Sequence, residues 1–175
     1  MAEGPTLGQS ESGNRMKNLS IALLILSMTV ACGDGAQRDE DGQVVAGGNV
    51  NVLSLAVGDC FQDSADDNLG EVVELNTAKA VPCSEPHDNE VFDSIVVMNR
   101  DEWPGDDFFI ELGRRDCLET FEMFVGRDYA TSRLDFGLIW PTEDSWNRLD
   151  DREIDCFLYD LNLLPLVGSM RGSAE

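Results

Sequence analysis

The densest run of chemically capable side chains is Cys83-Ser-Glu-Pro-His87-Asp-Asn-Glu90-Val91. His87 beside Asp88 and Glu90, with Ser84 three residues upstream, contains the residue types of a base–nucleophile pair. This defines one reading, a cell-envelope hydrolase using His87 with Asp88 or Glu90. The crowding argues against it, because triad members usually come from separate loops held at fixed geometry. In the structural reading, Pro86 turns the chain into a following strand and His87 satisfies buried backbone groups. His87 is the single histidine, which excludes any site needing two imidazoles, HExxH zincins included.

A second constellation is Pro141-Thr-Glu-Asp-Ser-Trp146 followed by Asp150-Asp151-Arg152. Trp146 and Arg152 can form a cation–π pair at a ligand surface, or they can close a loop onto a sheet by packing, the commoner fate of a single loop aromatic. Trp103 and Trp140 flank turns and read as core rims. The candidate binding residues are therefore His87, Glu90, Trp146 and Arg152. No residue is assigned a catalytic role and no metal or cofactor is expected, since GxxxxGK[ST], GxGxxG and GxSxG are absent. Acidic residues number 34, so paired carboxylates alone carry no information about glycosidase chemistry. The acids of Asp63–Asn68 lack the spacing of an EF-hand.

The elements that position these residues follow from periodicity. Val50 to Val57 predicts a strand leading into Gly58-Asp-Cys60-Phe61. Short strands are expected over Glu71–Leu75 and Lys79–Cys83, and a longer one over Glu90–Met98, whose Ile95-Val-Val-Met98 is apolar on both faces. Pro104-Gly105 breaks the chain, and Asp106 or Asp107 then caps a helix over Phe108–Val125. Ile110, Cys117, Phe121 and Phe124 share one face of that helix, with Glu111 and Arg115 paired on the solvent side and Gly126 as its stop. Leu134–Trp140 and Glu153–Leu158 alternate as strands. These elements predict an α+β domain: a mostly antiparallel sheet with one main helix packed on it.

Four of the five cysteines fall inside this domain: Cys60, Cys83, Cys117 and Cys156. Their spacings of 23, 34 and 39 residues, with no CxxC, suit disulfides rather than a metal site. Cys117 lies on the buried helix face and Cys156 on the core face of a strand, so Cys117–Cys156 is expected to clip helix to sheet. Cys60–Cys83 follows by elimination.

The fifth, Cys32, belongs to an address signal. Met16-Lys17 precedes an uncharged run, Asn18–Gly33, that is short of the ~20 apolar residues a membrane span needs. A positive start, an apolar stretch and small residues before a cut site describe a secretory signal over residues 1–31. Glu3 and Glu11 do not suit a positive leader, so translation is expected to begin at Met16. Thr29-Val-Ala-Cys32-Gly33 resembles a bacterial lipobox, making Cys32 the expected lipid-attachment residue. Residues 32–48, with Gly35, Gly47, Gly48 and a charged Arg38–Asp41, read as anchor and flexible tether. Residues 49–175 form the exported domain. The net charge of −22 argues against DNA or RNA as a partner. It fits either an aggregation-resistant surface or adaptation to salt.

Val57-Gly-Asp-Cys-Phe61, Val81-Pro-Cys83-Ser-Glu-Pro-His87-Asp-Asn-Glu90-Val-Phe92, Cys117, Pro141, Trp146, Arg152 and Cys156 together resemble the actinobacterial septum formation family over residues 54–172. One position departs from its pattern: Asp150-Asp151-Arg152 stands where Gly-Asp-Arg is expected, so a tight turn before Arg152 would have to form without its glycine. The resemblance implies an exported or membrane-tethered domain with its four cysteines paired, and it brings no catalytic residues. The expectation is a non-catalytic, extracytoplasmic lipoprotein domain. It would be held to the membrane through Cys32 and would bind an envelope protein or wall component, in septum formation or cell division. A divalent-cation sink on the acidic face is a further reading.

Overall fold

The computed structural model describes residues 35–62 and 76–175. The secretory signal, Cys32, the acidic loop 63–68 and the strand expected over 71–75 lie outside the described residues. The segment expected as a flexible tether is partly folded. β1 (Gln37–Arg38) and β2 (Val44–Ala46) make a small antiparallel hairpin, and β3 (Gly48–Asn51) follows directly. Arg38 holds this hairpin to the domain by grasping both oxygens of buried Asp59 at 2.6 Å. The domain therefore begins well before residue 49. The glycine and charge content that suggested a linker instead supplies a tight turn at Gly42 and a buried-end ion pair.

The main sheet continues with β4 (Cys60–Gln62), β5 (Thr77–Val81), β6 (Asn89–Val96), β7 (Leu134–Ile139) and β8 (Glu153–Asp160). Its order is β3-β5-β4-β6-β8-β7 and every pairing is antiparallel. The strand predicted through Val57 stops at Asn51, whose side chain accepts from the Leu53 N–H and starts a 3-10 turn over Val52–Ser54. In β6 the register slips by one residue between Val91 and Asp93. Such a bulge lets neighbouring residues serve different cores: Val91 packs with one hydrophobic cluster and Phe92 with another.

Helix α1 (Asp106–Val125) covers one face of the sheet. Its buried stripe is Phe109, Gly113, Cys117, Phe121, Phe124 and Val125. Ile110, expected on that face, is only half-buried. The cap differs as well: Gly105 is the N-cap residue, and Asp106 and Asp107 lie in the first turn, where their charge opposes the positive helix end. Arg115 pairs with its neighbour Asp116 at 2.6 Å rather than with Glu111. Gly113 weakens the helix interior by about 1 kcal/mol relative to alanine, and packing explains its presence. A Cβ there would sit 2.8 Å from Leu138 Cδ1 and 3.2 Å from Ile154 Cγ2, so glycine lets α1 approach the sheet closely. Gly137 in β7 has an equivalent role, with the Phe157 ring laid across it from β8.

Both expected disulfides form. Cys117–Cys156 joins α1 to β8 with Cα atoms 5.8 Å apart, and Cys60–Cys83 joins β4 to the turn after β5 at 5.2 Å. The loop around Trp146 contains a second helix, α2 (Glu143–Leu149), which periodicity did not reveal because it spans only two turns. It is opened by a capping box in which Thr142 and Ser145 exchange hydrogen bonds. It is closed by Asp150 in the left-handed conformation, φ 57°. The turn before Arg152 is thus present without the glycine, with aspartate adopting the glycine-like backbone. The result is an α+β domain with a mostly antiparallel sheet, one main helix and two disulfides. Among the described residues, no helix is long and apolar enough to cross a membrane.

Candidate functional site

Pro86 delivers His87 into a buried bridge with the C-terminal segment. The His87 N–H donates to the Leu166 carbonyl at 3.0 Å, and the Leu166 N–H returns a bond of 2.8 Å. The imidazole is fully buried, with Nδ1 2.8 Å from the Glu85 carbonyl oxygen and Nε2 without a partner among the described residues. Glu90 is equally buried. One carboxylate oxygen accepts from the Ser169 hydroxyl and the other from the Met170 N–H at 2.6 Å. Burial pushes the Glu90 carboxyl above its ordinary pKa, while those two hydrogen bonds and the charges of His87 and Arg171 pull it back. His87 and Glu90 together bind residues 166–170 against the start of the interior strand β6.

The Cys60 and Cys83 sulfurs and a Glu90 oxygen lie within 4.8 Å of one another. The two sulfurs are joined to each other, which leaves neither as the thiolate a metal needs.

Trp146 is also interior. It packs with Phe109 and Ile154, and its indole N–H donates to the Asp101 carbonyl at 3.1 Å. The Arg152 guanidinium lies 3.7 Å from the Trp146 ring centroid and donates to the carbonyls of Trp146 and Asp151, both at 2.8 Å. The stacked pair exists, but Arg152 occupies the ring face that a ligand would have used. The pair fixes α2 onto the domain. His87 with Glu90 and Trp146 with the half-buried Arg152 form two separate clusters.

An open concavity among the described residues lies elsewhere. A cleft of about 450 Å³ wraps around the C-terminal end of the edge strand β7, between α2, the start of β8 and the 3-10 turn after β3. Its lining carries six carboxylates, Asp106, Glu143, Asp144, Asp151, Glu153 and Asp155, and no Lys, Arg or His. Val52, Leu138, Ile139 and the half-buried Trp103 and Trp140 supply its apolar walls. Several of the acids have internal partners. Asp106 accepts from Trp140 Nε1 at 3.0 Å, Asp151 accepts from the Ser145 hydroxyl at 2.9 Å, and Asp144 pairs with Arg148 at 3.0 Å.

Asp155 is different. It is 6 % exposed, and its Oδ1 is buried without a hydrogen-bond partner among the described residues. Ser94 stands opposite it in the β6–β8 register, and the Ser94 hydroxyl is likewise without a well-formed bond. Burial pushes the Asp155 carboxyl up to about 6, hydrogen bonding from the facing Ser94 hydroxyl pulls it back, and the nearby charges of Glu153, Asp151 and Asp59 add smaller upward pushes.

Sequence reasoning missed this cleft. Alternation in β8 correctly assigns Ile154, Cys156 and Leu158 to the helix-facing core, and it leaves Glu153 and Asp155 on what looks like a solvent face. That face is partly roofed, because Val52 and Leu55 pack with Ile139 and Phe157. The available signal was Phe157 itself, an aromatic in phase with the two acids.

No curated protein and no solved structure matches the chain. A family profile described as septum formation matches residues 57–172, taking in both disulfides, His87 with Glu90 and most of the acid-lined cleft. With that match over more than half of its length, the chain belongs to the septum formation family.

Proposed function

We propose that this chain is an extracytoplasmic, non-catalytic binding domain, anchored to the membrane by a lipid on Cys32, that engages an envelope protein or wall component during septum formation. The observation that carries the reading is the separation of chemistry from access. The only imidazole is buried and bonded to backbone, while a solvent-open cleft among the described residues is lined with carboxylates and its one serine, Ser145, is held in a helix cap. Two disulfides support an oxidising, exported setting. The Cys32 sequence context is the support for the address, and membership of the septum formation family is the support for the process.

Intact mass of the protein from its own membranes tests the address. A chain beginning at Cys32 with a diacylglyceryl increment, gaining four hydrogens on reduction, is the expected result. An unlipidated chain sinks the anchored reading. A photo-crosslinking side chain placed at Leu149 on the cleft rim should capture an envelope component, and its capture of nothing in dividing cells would count against a binding role.

A further inference from the structure

We infer that the cleft around the end of β7 is a binding site for an organic cation, a primary ammonium or guanidinium group carried on a short apolar stem. This rests on the binding-domain reading and names the chemistry of its ligand.

Three observations converge on it. The six lining carboxylates include Glu143 and Glu153, which make no ion pair among the described residues, so the cleft holds uncompensated negative charge. Buried Asp155, with one oxygen unpartnered, lines the same cavity. The Asp155 carboxylate makes no well-formed hydrogen bond among the described residues, with only the Ser94 hydroxyl opposite its buried oxygen, and an N–H from a ligand in the cleft would give the carboxylate a charged partner. The remaining walls are aliphatic and aromatic: Val52, Leu138, Ile139, Trp103 and Trp140.

Those walls select the class of cation. A hydrated divalent ion gains nothing from apolar surface and takes oxygen ligands around its whole sphere. An alkylammonium or guanidinium group buries its stem against such walls while its N–H groups reach the carboxylates. The cavity volume falls in the range of ordinary organic-ligand sites. The same chemistry is offered by a free diamine and by a Lys or Arg side chain within a peptide.

Binding should also depend on pH. The groups facing Asp155 are Glu153 and Asp151 at the start of its own strand, Asp59 at the start of β4 and neutral Ser94 on β6. Asp59 is held in an ion pair by Arg38, so the uncompensated charges are those of Glu153 and Asp151, and they oppose ionisation of Asp155. A cation bound there favours the carboxylate, so affinity should fall by up to roughly tenfold per unit as pH drops below about 6.

The test is titration of the purified full chain, followed by calorimetry and tryptophan fluorescence at physiological salt. The probes are cadaverine, acetyl-Gly-Lys-Gly-amide, methylammonium chloride and calcium chloride. Saturable binding of cadaverine or the peptide is expected, weakened at least tenfold in Asp155→Asn and in Glu153→Gln. The Glu119→Gln control, which removes one exposed acid on α1, should leave it unchanged. The tighter of the two stemmed probes identifies the source.

Glu153 is exposed, so its variant separates lost binding from lost folding. Equal weakening by Glu119→Gln would reduce the effect to general charge attraction and overturn the site. Binding of calcium alone, or of methylammonium as tightly as cadaverine, would overturn the ligand class. Flat titrations with both stemmed probes, alongside successful capture from Leu149 in cells, would overturn the amine site while leaving the binding domain standing. Failure of both would remove both.

Discussion

At the scale of single residues, Asp155 and Asp150 show the same acid used in two costly ways. Asp155 is ionisable, buried and unpartnered at one oxygen, with its carboxyl raised to about 6. A raised acid favours the folded state below the unfolded value near 3.8, and that advantage is lost as pH rises through the folded value. Asp155→Asn should therefore match the parent in stability near pH 4 and exceed it by up to about 3 kcal/mol at pH 8. Urea unfolding at the two pH values reads this directly, and an equal offset at both would show that ionisation is not the cause. Asp150 has φ 57°, a conformation disfavoured for residues with a Cβ. Asp150→Gly should stabilise the domain by about 1 kcal/mol, less whatever the exposed Asp150–Arg152 ion pair contributes. A lower melting temperature for this variant would mean that the ion pair outweighs the backbone strain.

Among the elements, α1 and β8 are the pair that the rest of the fold is arranged around. Gly113 permits their approach, Phe109 and Phe121 fill the space between them, and Cys117–Cys156 fixes the distance. Their link closes a sequence separation of 39 residues and Cys60–Cys83 one of 23, each stabilising by about 3–4 kcal/mol on the loop-entropy account. The double variant Cys117→Ser with Cys156→Ser should lose somewhat more than that, because two hydroxyls would stand in an apolar core. Differential scanning calorimetry compares it with the Cys60→Ser, Cys83→Ser pair. If the first pair is the less costly, α1 is held by its apolar stripe and the disulfide is secondary. α2 works at the same scale: its capping box and the Trp146–Arg152 stack place the acids that form one wall of the cleft.

For the whole molecule the governing quantity is charge. A formal −22 on 175 residues sets up self-repulsion that opposes the compact state, and salt screens it. The melting temperature should rise as sodium chloride goes from 10 mM to 500 mM. A flat response would mean that the acids are too dispersed to interact. The same field concentrates cations near the surface, so the proposed cleft must be tested at physiological salt and against a distant charge control.

What the sequence determined by itself were the features that depend on local spacing. Cys117 and Cys156 could be paired because one lay in phase with a helical stripe and the other with a strand's core face. The α+β class followed from the same periodicities. His87 could be read as structural because a contiguous block cannot easily supply a triad. Tertiary structure alone decided where the surface is concave and which polar atoms go unpaired. Residues 37–46 look like linker until Arg38 meets Asp59, 21 residues away. Asp155 looks solvent-facing until Val52 and Leu55 come to lie over that side of the sheet. Periodicity reports the direction a side chain takes from its own backbone, whereas burial and pairing depend on what distant segments place in front of it.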